Sequence, residues 1–147
     1  MIILSNFGER LSEVMFDKNI TAKELSEQTN IGYNSLTRYL QGIRLPTFNV
    51  FAKLVTYFNC SADFILGLNE QPKYEETYQE IKPFSECLKN TLTHTKVSQY
   101  ALQKQTGISW ANFHYWLTGK REPYIDSIIK IANALDVSID YLLGRVK

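Results

Sequence analysis

Apolar residues return every three or four positions along most of the 147-residue chain, the period of a helix that buries one face. Phe7, Leu11 and Val14 predict a first helix, and Leu25 marks the inner face of a second that starts at Thr21. Leu36, Tyr39 and Leu40 predict a third, with Tyr39 on its buried side. Phe48, Phe51, Leu54 and Phe58 form a fourth after Pro46, and Phe64 and Leu66 belong to a short fifth capped by Ser61. Thr21-Ala22-Lys23-Glu24 has the spacing of a capping box, in which hydroxyl and carboxylate satisfy the first free amides of the helix. Asn30 ends the second helix and Gly42 the third, both residue types that accept the left-handed conformation.

The pattern then repeats. A shift of 77 positions aligns residues 7–67 with 84–144 without a gap, and the stretch IGYNSLTRYLQGIRLP at 31–46 returns as ISWANFHYWLTGKREP at 108–123. Leu11/Leu88, Leu25/Leu102, Gly42/Gly119, Arg44/Arg121, Pro46/Pro123, Asp63/Asp140 and Gly67/Gly144 are among the identical pairs. In the second copy the turn falls at Gly107, the third helix is buried through Phe113, Trp116 and Leu117, and Ser138 caps the last helix, which holds Tyr141 and Leu143. Two copies at this period indicate a duplicated domain and not a solenoid. The expected architecture is all-α, two tandem five-helix domains over residues 1–68 and 81–147. Between them, residues 69–80 (NEQPKYEETYQE) hold a proline and four acids and read as a linker whose second half starts the next helix. Fully extended, 12 residues reach about 40 Å, enough to place two units one DNA turn apart, roughly 34–36 Å.

Composition narrows the classes. No apolar run approaches the roughly 18 residues of a membrane span, and MIILSNFGER lacks the basic start and long apolar core of a leader, so a cytoplasmic protein is expected. Cys60 and Cys87 have no CxxC spacing or histidine pair beside them. Cys60 aligns with Val137 and reads as an apolar filler, whereas Cys87 aligns with Arg10 and reads as a surface residue. His94 and His114 have no ligand spacing, and no paired carboxylates, nucleophile triad or phosphate loop occurs. Neither an enzyme, a metal nor a cofactor is expected.

A helix, a tight turn and a second helix with a free outer face are, at these residues, similar to the lambda-repressor-like (Cro/XRE-type) helix-turn-helix family. Ser98-Gln99, Gly107-Ile108-Ser109, Trp116-Leu117-Thr118-Gly119-Lys120-Arg121-Glu122-Pro123 and the ending Val137 to Gly144 resemble its pattern, and the resemblance covers both copies. It implies that helix 3 enters the major groove while the start of helix 2 sits on a phosphate, as free amides and the helix dipole favour. Carried over, the DNA-facing residues of the first copy are Thr21 and Lys23 on helix 2, Tyr33, Asn34, Ser35, Thr37 and Arg38 on helix 3, and Arg44 after it. In the second they are Ser98 and Gln99, then Trp110, Ala111, Asn112, His114 and Tyr115, then Lys120 and Arg121. Ala22 departs from the Gln matched by Gln99, and Gln103 stands where the family usually has a small residue, as Ser26 is.

Asn34 suits adenine and Arg38 guanine or a phosphate. Trp110 and Tyr115 suit a thymine methyl or sugar, and equally the aromatic centre of a protein interface. Arg44, Lys120 and Arg121 are either phosphate contacts or ordinary solvated charges. Net charge is only +1, but residues 1–68 hold six bases and six acids, 69–80 one and four, and 81–147 nine and five. The second copy is therefore the cationic one. The expectation is a sequence-specific double-stranded-DNA-binding transcriptional regulator, a repressor of phage or bacterial type, with a homodimer as a further expectation. The alternative is a protein-binding module, such as an antirepressor, antitoxin or inhibitor, that uses the aromatic face of the second copy. Tyr74, Tyr78 and Tyr100 add aromatic surface suited to joining the units.

Overall fold

The computed structural model describes residues 2–75 and 77–147. Among them all regular structure is helical, and the chain separates into two compact units, Met1–Thr77 and Tyr78–Lys147. The first holds α1 (Ile2–Asp17), α2 (Ala22–Thr29), α3 (Tyr33–Leu40), α4 (Phe48–Phe58) and α5 (Ala62–Ile65). The second holds α6 (Phe84–Thr95), α7 (Gln99–Thr106), α8 (Trp110–Thr118), α9 (Ile125–Leu135) and α10 (Ile139–Leu142). Among the described residues no helix is long and apolar enough to cross a membrane.

In the first unit α1 packs on α3 and α5, and α2 on α3 and α4. Phe7, Leu11, Leu25, Leu36, Phe51 and Leu54 are fully buried between them. Burying one such side chain stabilises the fold by about 1.5–3 kcal/mol. Phe7 meets Tyr39 edge-on at 5.8 Å and lies 6.2 Å from Phe51, so a single aromatic cluster joins the first, third and fourth helices. The second unit repeats the plan with Leu88, Leu102, Phe113, Ile125, Ile128 and Ile131. Its aromatic contacts are Phe84 and Phe113 against Trp116, both edge-on.

The caps explain the helix boundaries. The Thr21 hydroxyl accepts from the Glu24 N–H, and the Glu24 carboxylate accepts from the Thr21 N–H at 3.1 Å, completing the capping box. Ser98, Ser109 and Ser138 cap their helices through the same hydroxyl-to-amide geometry. Asn30 and Gly107 end α2 and α7 at φ 61° and 72°, where the chain turns into the next helix.

The stretch between the units differs from the sequence expectation. Among the described residues of its second half no helix starts: α6 begins only at Phe84, with Pro83 at its N-cap, because the residue before a proline is pushed out of the helical region. Nor is the stretch a free tether. The Ser61 N–H donates to the Pro72 carbonyl at 2.6 Å and the Glu75 N–H to the Asn59 carbonyl at 2.9 Å. Tyr74 donates its hydroxyl to Asp17 at 2.8 Å, all within the first unit. Within the second, the Gln79 N–H donates to the Arg145 carbonyl, and the Arg145 guanidinium lies 3.9 Å from the centre of the Tyr78 ring. Tyr74 and Tyr78 are each engaged inside their own unit.

Cys60 is buried as an apolar filler, but Cys87 is also buried, at 4% exposure, contrary to the surface position its alignment with Arg10 suggested. Arg10 is itself a poor guide to surface, since its side chain is only 18% exposed and its Nη1 donates to the Phe64 and Asn69 carbonyls. Both residues point into the groove between the first and last helices of their unit. The Cys87 thiol donates to the Lys82 and Leu143 carbonyls at 3.3 and 3.7 Å, and burial pushes its pKa up to about 11.

Candidate nucleic-acid interface

The candidate residues lie on the outer face of the third helix of each unit and at the start of the second. In α3 the inward positions Leu36 and Tyr39 are buried, which fixes the helix roll. The opposite side carries Tyr33, Asn34 and Arg38 exposed, with Ser35 and Thr37 half-buried beside them. Asn34 and Arg38, four apart, share one stripe of the helix. The Thr37 hydroxyl donates back to the Asn34 main-chain carbonyl at 2.9 Å, which turns Thr37 toward its own helix. After α3 the Ile43 N–H donates to the Arg38 carbonyl at 3.0 Å. Exposed Arg44 follows that turn, with Ile43, 64% exposed, next to it.

Thr21 and Lys23 are exposed at the start of α2. Here the cap has an electrostatic consequence. The Glu24 carboxylate accepts from both the backbone N–H and the hydroxyl of Thr21, so an anion already occupies the helix end where a phosphate would bind. The matching residue in the second unit is Ala101. There Ser98 caps α7 with its hydroxyl alone, and that helix end has no carboxylate of its own in the first turn. Gln99, half-buried, donates its side-chain amide to the Gln103 side-chain oxygen at 3.3 Å. Ser26, the small residue matching Gln103, donates instead to the Ile31 carbonyl.

On α8, Phe113 and Trp116 face inward, while Trp110, Ala111 and Asn112 are exposed and His114 and Tyr115 half-buried. Trp110, 60% exposed, stacks on His114 with ring centres 4.8 Å apart and planes 13° from parallel. The Arg121 guanidinium lies 4.5 Å from the centre of the Tyr115 ring, and the Lys120 N–H donates to the Tyr115 carbonyl. The result is an aromatic strip in which the Tyr115 ring tilts 57° from that of His114, with Arg121 against its end. A cation at that distance from the Tyr115 ring is attracted by about 0.5–1 kcal/mol at an exposed site.

Every carried-over residue thus lies on one of these two faces, exposed or half-buried, and the two sets remain separate by unit. Three neighbours of these faces escape a sequence reading. Glu24 reads as a cap, not as a competing anion. Ile43 carries no polar signal. The Tyr100–Lys104 pair, with the ammonium 5.2 Å from the ring centre on exposed α7, is visible only as an i, i+4 spacing.

The Cro/C1-type HTH DNA-binding domain family matches residues 10–71 and 88–147. Among curated proteins, the HTH-type transcriptional regulator ImmR of Bacillus subtilis (strain 168) is 35% identical over 83 residues, 56% of this chain and 65% of that protein. The uncharacterized HTH-type transcriptional regulator YqaE of the same organism is 40% identical over 60 residues, 41% of this chain and 52% of that protein. The chain therefore spans less than two thirds of the length of either relative. No solved structure matches it.

Proposed function

The chain belongs to the Cro/C1-type helix-turn-helix DNA-binding domain family, and on that premise we propose that it is a sequence-specific, double-stranded-DNA-binding transcriptional regulator acting as a repressor of bacterial or phage type. The observation that carries this reading is the face of α3. Its buried side is fixed by Leu36 and Tyr39, and its outer side presents the donors and acceptors of Asn34 and Arg38. An amide side chain pairs bidentately with adenine and a guanidinium with guanine. The relatives named as transcriptional regulators point the same way. In this reading Arg44 after α3 and the carboxylate-free start of α7, with Ser98, Gln99, Lys120 and Arg121, hold phosphates. The first unit supplies more of the base reading and the second more of the backbone attraction.

The Trp110–His114 stack supports a second reading for α8, a protein-contact face that kept the fold and gave up the groove. Selection of bound sequences from a random duplex pool at two salt concentrations distinguishes the two. A shared motif whose affinity falls steeply with salt, by about one unit of logarithmic slope per neutralised phosphate, supports the regulator. Absence of binding to any duplex at low salt rejects it.

A further inference from the structure

The third helices of the two units, α3 and α8, are seated alike and present different chemistry. Each has its roll fixed by two buried side chains, Leu36 and Tyr39 in one, Phe113 and Trp116 in the other. On α3 the outward positions 34 and 38 hold Asn and Arg, side chains that pair bidentately with a base edge. Their counterparts 77 positions on are Ala111 and Tyr115, and Trp110 stands where Tyr33 does. Apolar groups have taken the places of the bidentate ones.

The start of α8 is nevertheless held in one arrangement. The Ser109 hydroxyl accepts from the Asn112 N–H at 3.2 Å and fixes the first turn. The Trp110 indole lies against the His114 ring one turn on, nearly parallel to it, so it loses less rotamer freedom when it is buried on binding. Ala111 is exposed beside it and adds only a methyl group. Neither α7 (QYALQKQT) nor α8 (WANFHYWLT) contains a carboxylate, whereas α2 carries Glu24 and Glu27. Exposed Lys120 and Arg121 follow α8 directly. A surface that is apolar at its centre, free of acids and followed by cations suits a polyanion that displays an apolar group.

On the premise that the chain is a DNA-binding regulator, we propose that Trp110, held by its stack on His114, and Ala111 read thymine through its C5 methyl group. In the major groove that methyl is the apolar feature among polar donors and acceptors, and alanine and aromatic side chains are suited to touch it. The second unit then recognises a thymine-bearing sequence unlike the one that Asn34 and Arg38 read. Two dissimilar reading faces in one chain call for a site whose two parts differ in sequence, and not for a palindrome.

The test titrates the full chain with a duplex selected from a random pool. Each thymine is replaced in turn by deoxyuridine, which removes the methyl group and keeps every hydrogen-bonding group. A loss of about fourfold for each contacted methyl is expected, the transfer energy of one buried carbon. At those positions the penalty should vanish in Trp110→Ala and persist in Arg38→Ala. Trp110 is 60% exposed, so its removal leaves the core intact, and the deoxyuridine series on the unaltered chain needs no variant. A duplex bound with steep salt dependence but indifferent to every deoxyuridine overturns the proposal and leaves the regulator standing. Penalties that survive Trp110→Ala unchanged overturn it too, since another residue then touches the methyl groups. Absence of binding to any duplex at low salt rejects the regulator and the proposal together. Duplex affinity unchanged by Trp110→Ala, with loss of binding to another protein, overturns the proposal in favour of a protein contact.

Discussion

Gly8 on α1 lies so close to Tyr39 on α3 that a Cβ at residue 8 would stand 2.8 Å from the Tyr39 carbonyl oxygen and 3.0 Å from that of Leu40. The obstacle is backbone, which has no rotamer to yield. This closeness lets α1 and the end of α3 pack backbone against backbone. The second unit has Ser85 at the matching position, and a residue with a Cβ does not permit the same approach.

Gly8→Ala should therefore destabilise the first unit by about 1–3 kcal/mol, the usual cost of overpacking. In an unpacked helix the same change would stabilise by about 1 kcal/mol, so the sign is diagnostic. Urea unfolding measures it, and an unchanged or raised midpoint would reject the close contact.

In the second unit the Arg145 guanidinium and the Asp140 carboxylate pair at 2.7 Å, with side chains only 1% and 9% exposed. Arg145→Met should cost about 3–5 kcal/mol by leaving a buried carboxylate without its cation. Adding Asp140→Asn should restore part of that loss. Losses of the two single variants that simply add in the double variant, measured in denaturant, would mean that the pair is not coupled.

Burial raises the Cys87 thiol from about 9 to about 11. The folded state thus holds this proton more tightly than the unfolded chain. Its contribution is complete below pH 9 and is lost as pH rises from 9 to 11, amounting to roughly 2–3 kcal/mol. Comparing the stability of wild type and Cys87→Ala across that interval tests the effect, which predicts a flatter alkaline profile in the variant.

Side chains on α3 and around α8 should separate by the kind of loss. Asn34→Ala or Arg38→Ala should each cost about 1–3 kcal/mol and relax preference at one base position, whereas Arg121→Ala should weaken all sequences alike and reduce the salt slope by about one. Identical, sequence-blind losses from all three would remove base reading from α3. If none matters and Trp110→Ala alone abolishes association with a protein, the aromatic strip is an interface.

Glu24→Gln should strengthen DNA binding several-fold while the cap persists, because the amide oxygen still accepts from Thr21 and the charge beside the phosphate site is gone. A Coulomb repulsion near a protein surface of a few kcal/mol at contact distance is ample for that change. Binding that stays the same, measured at low salt, would show that no phosphate approaches the start of α2.

Sequence by itself determined the helices, their caps and the duplication, because these rest on local chemistry. The period of Phe7, Leu11 and Val14, the Thr21–Glu24 box and the left-handed Asn30 and Gly107 act over a few residues and leave a direct trace. It also placed Tyr39 and Trp116 inside and the candidate reading residues outside, since burying one face of a helix exposes the other. Tertiary structure decided what depends on partners distant along the chain. Arg10 and Cys87 both turn into a groove 54 and 56 residues away in sequence, so the charge of one gave no warning that the other is buried. Residues 70–75 look like a solvated acidic linker until Asn59, Ser61 and Asp17 supply hydrogen-bond partners. Gly8 is an unremarked small residue until the Tyr39 carbonyl arrives against it.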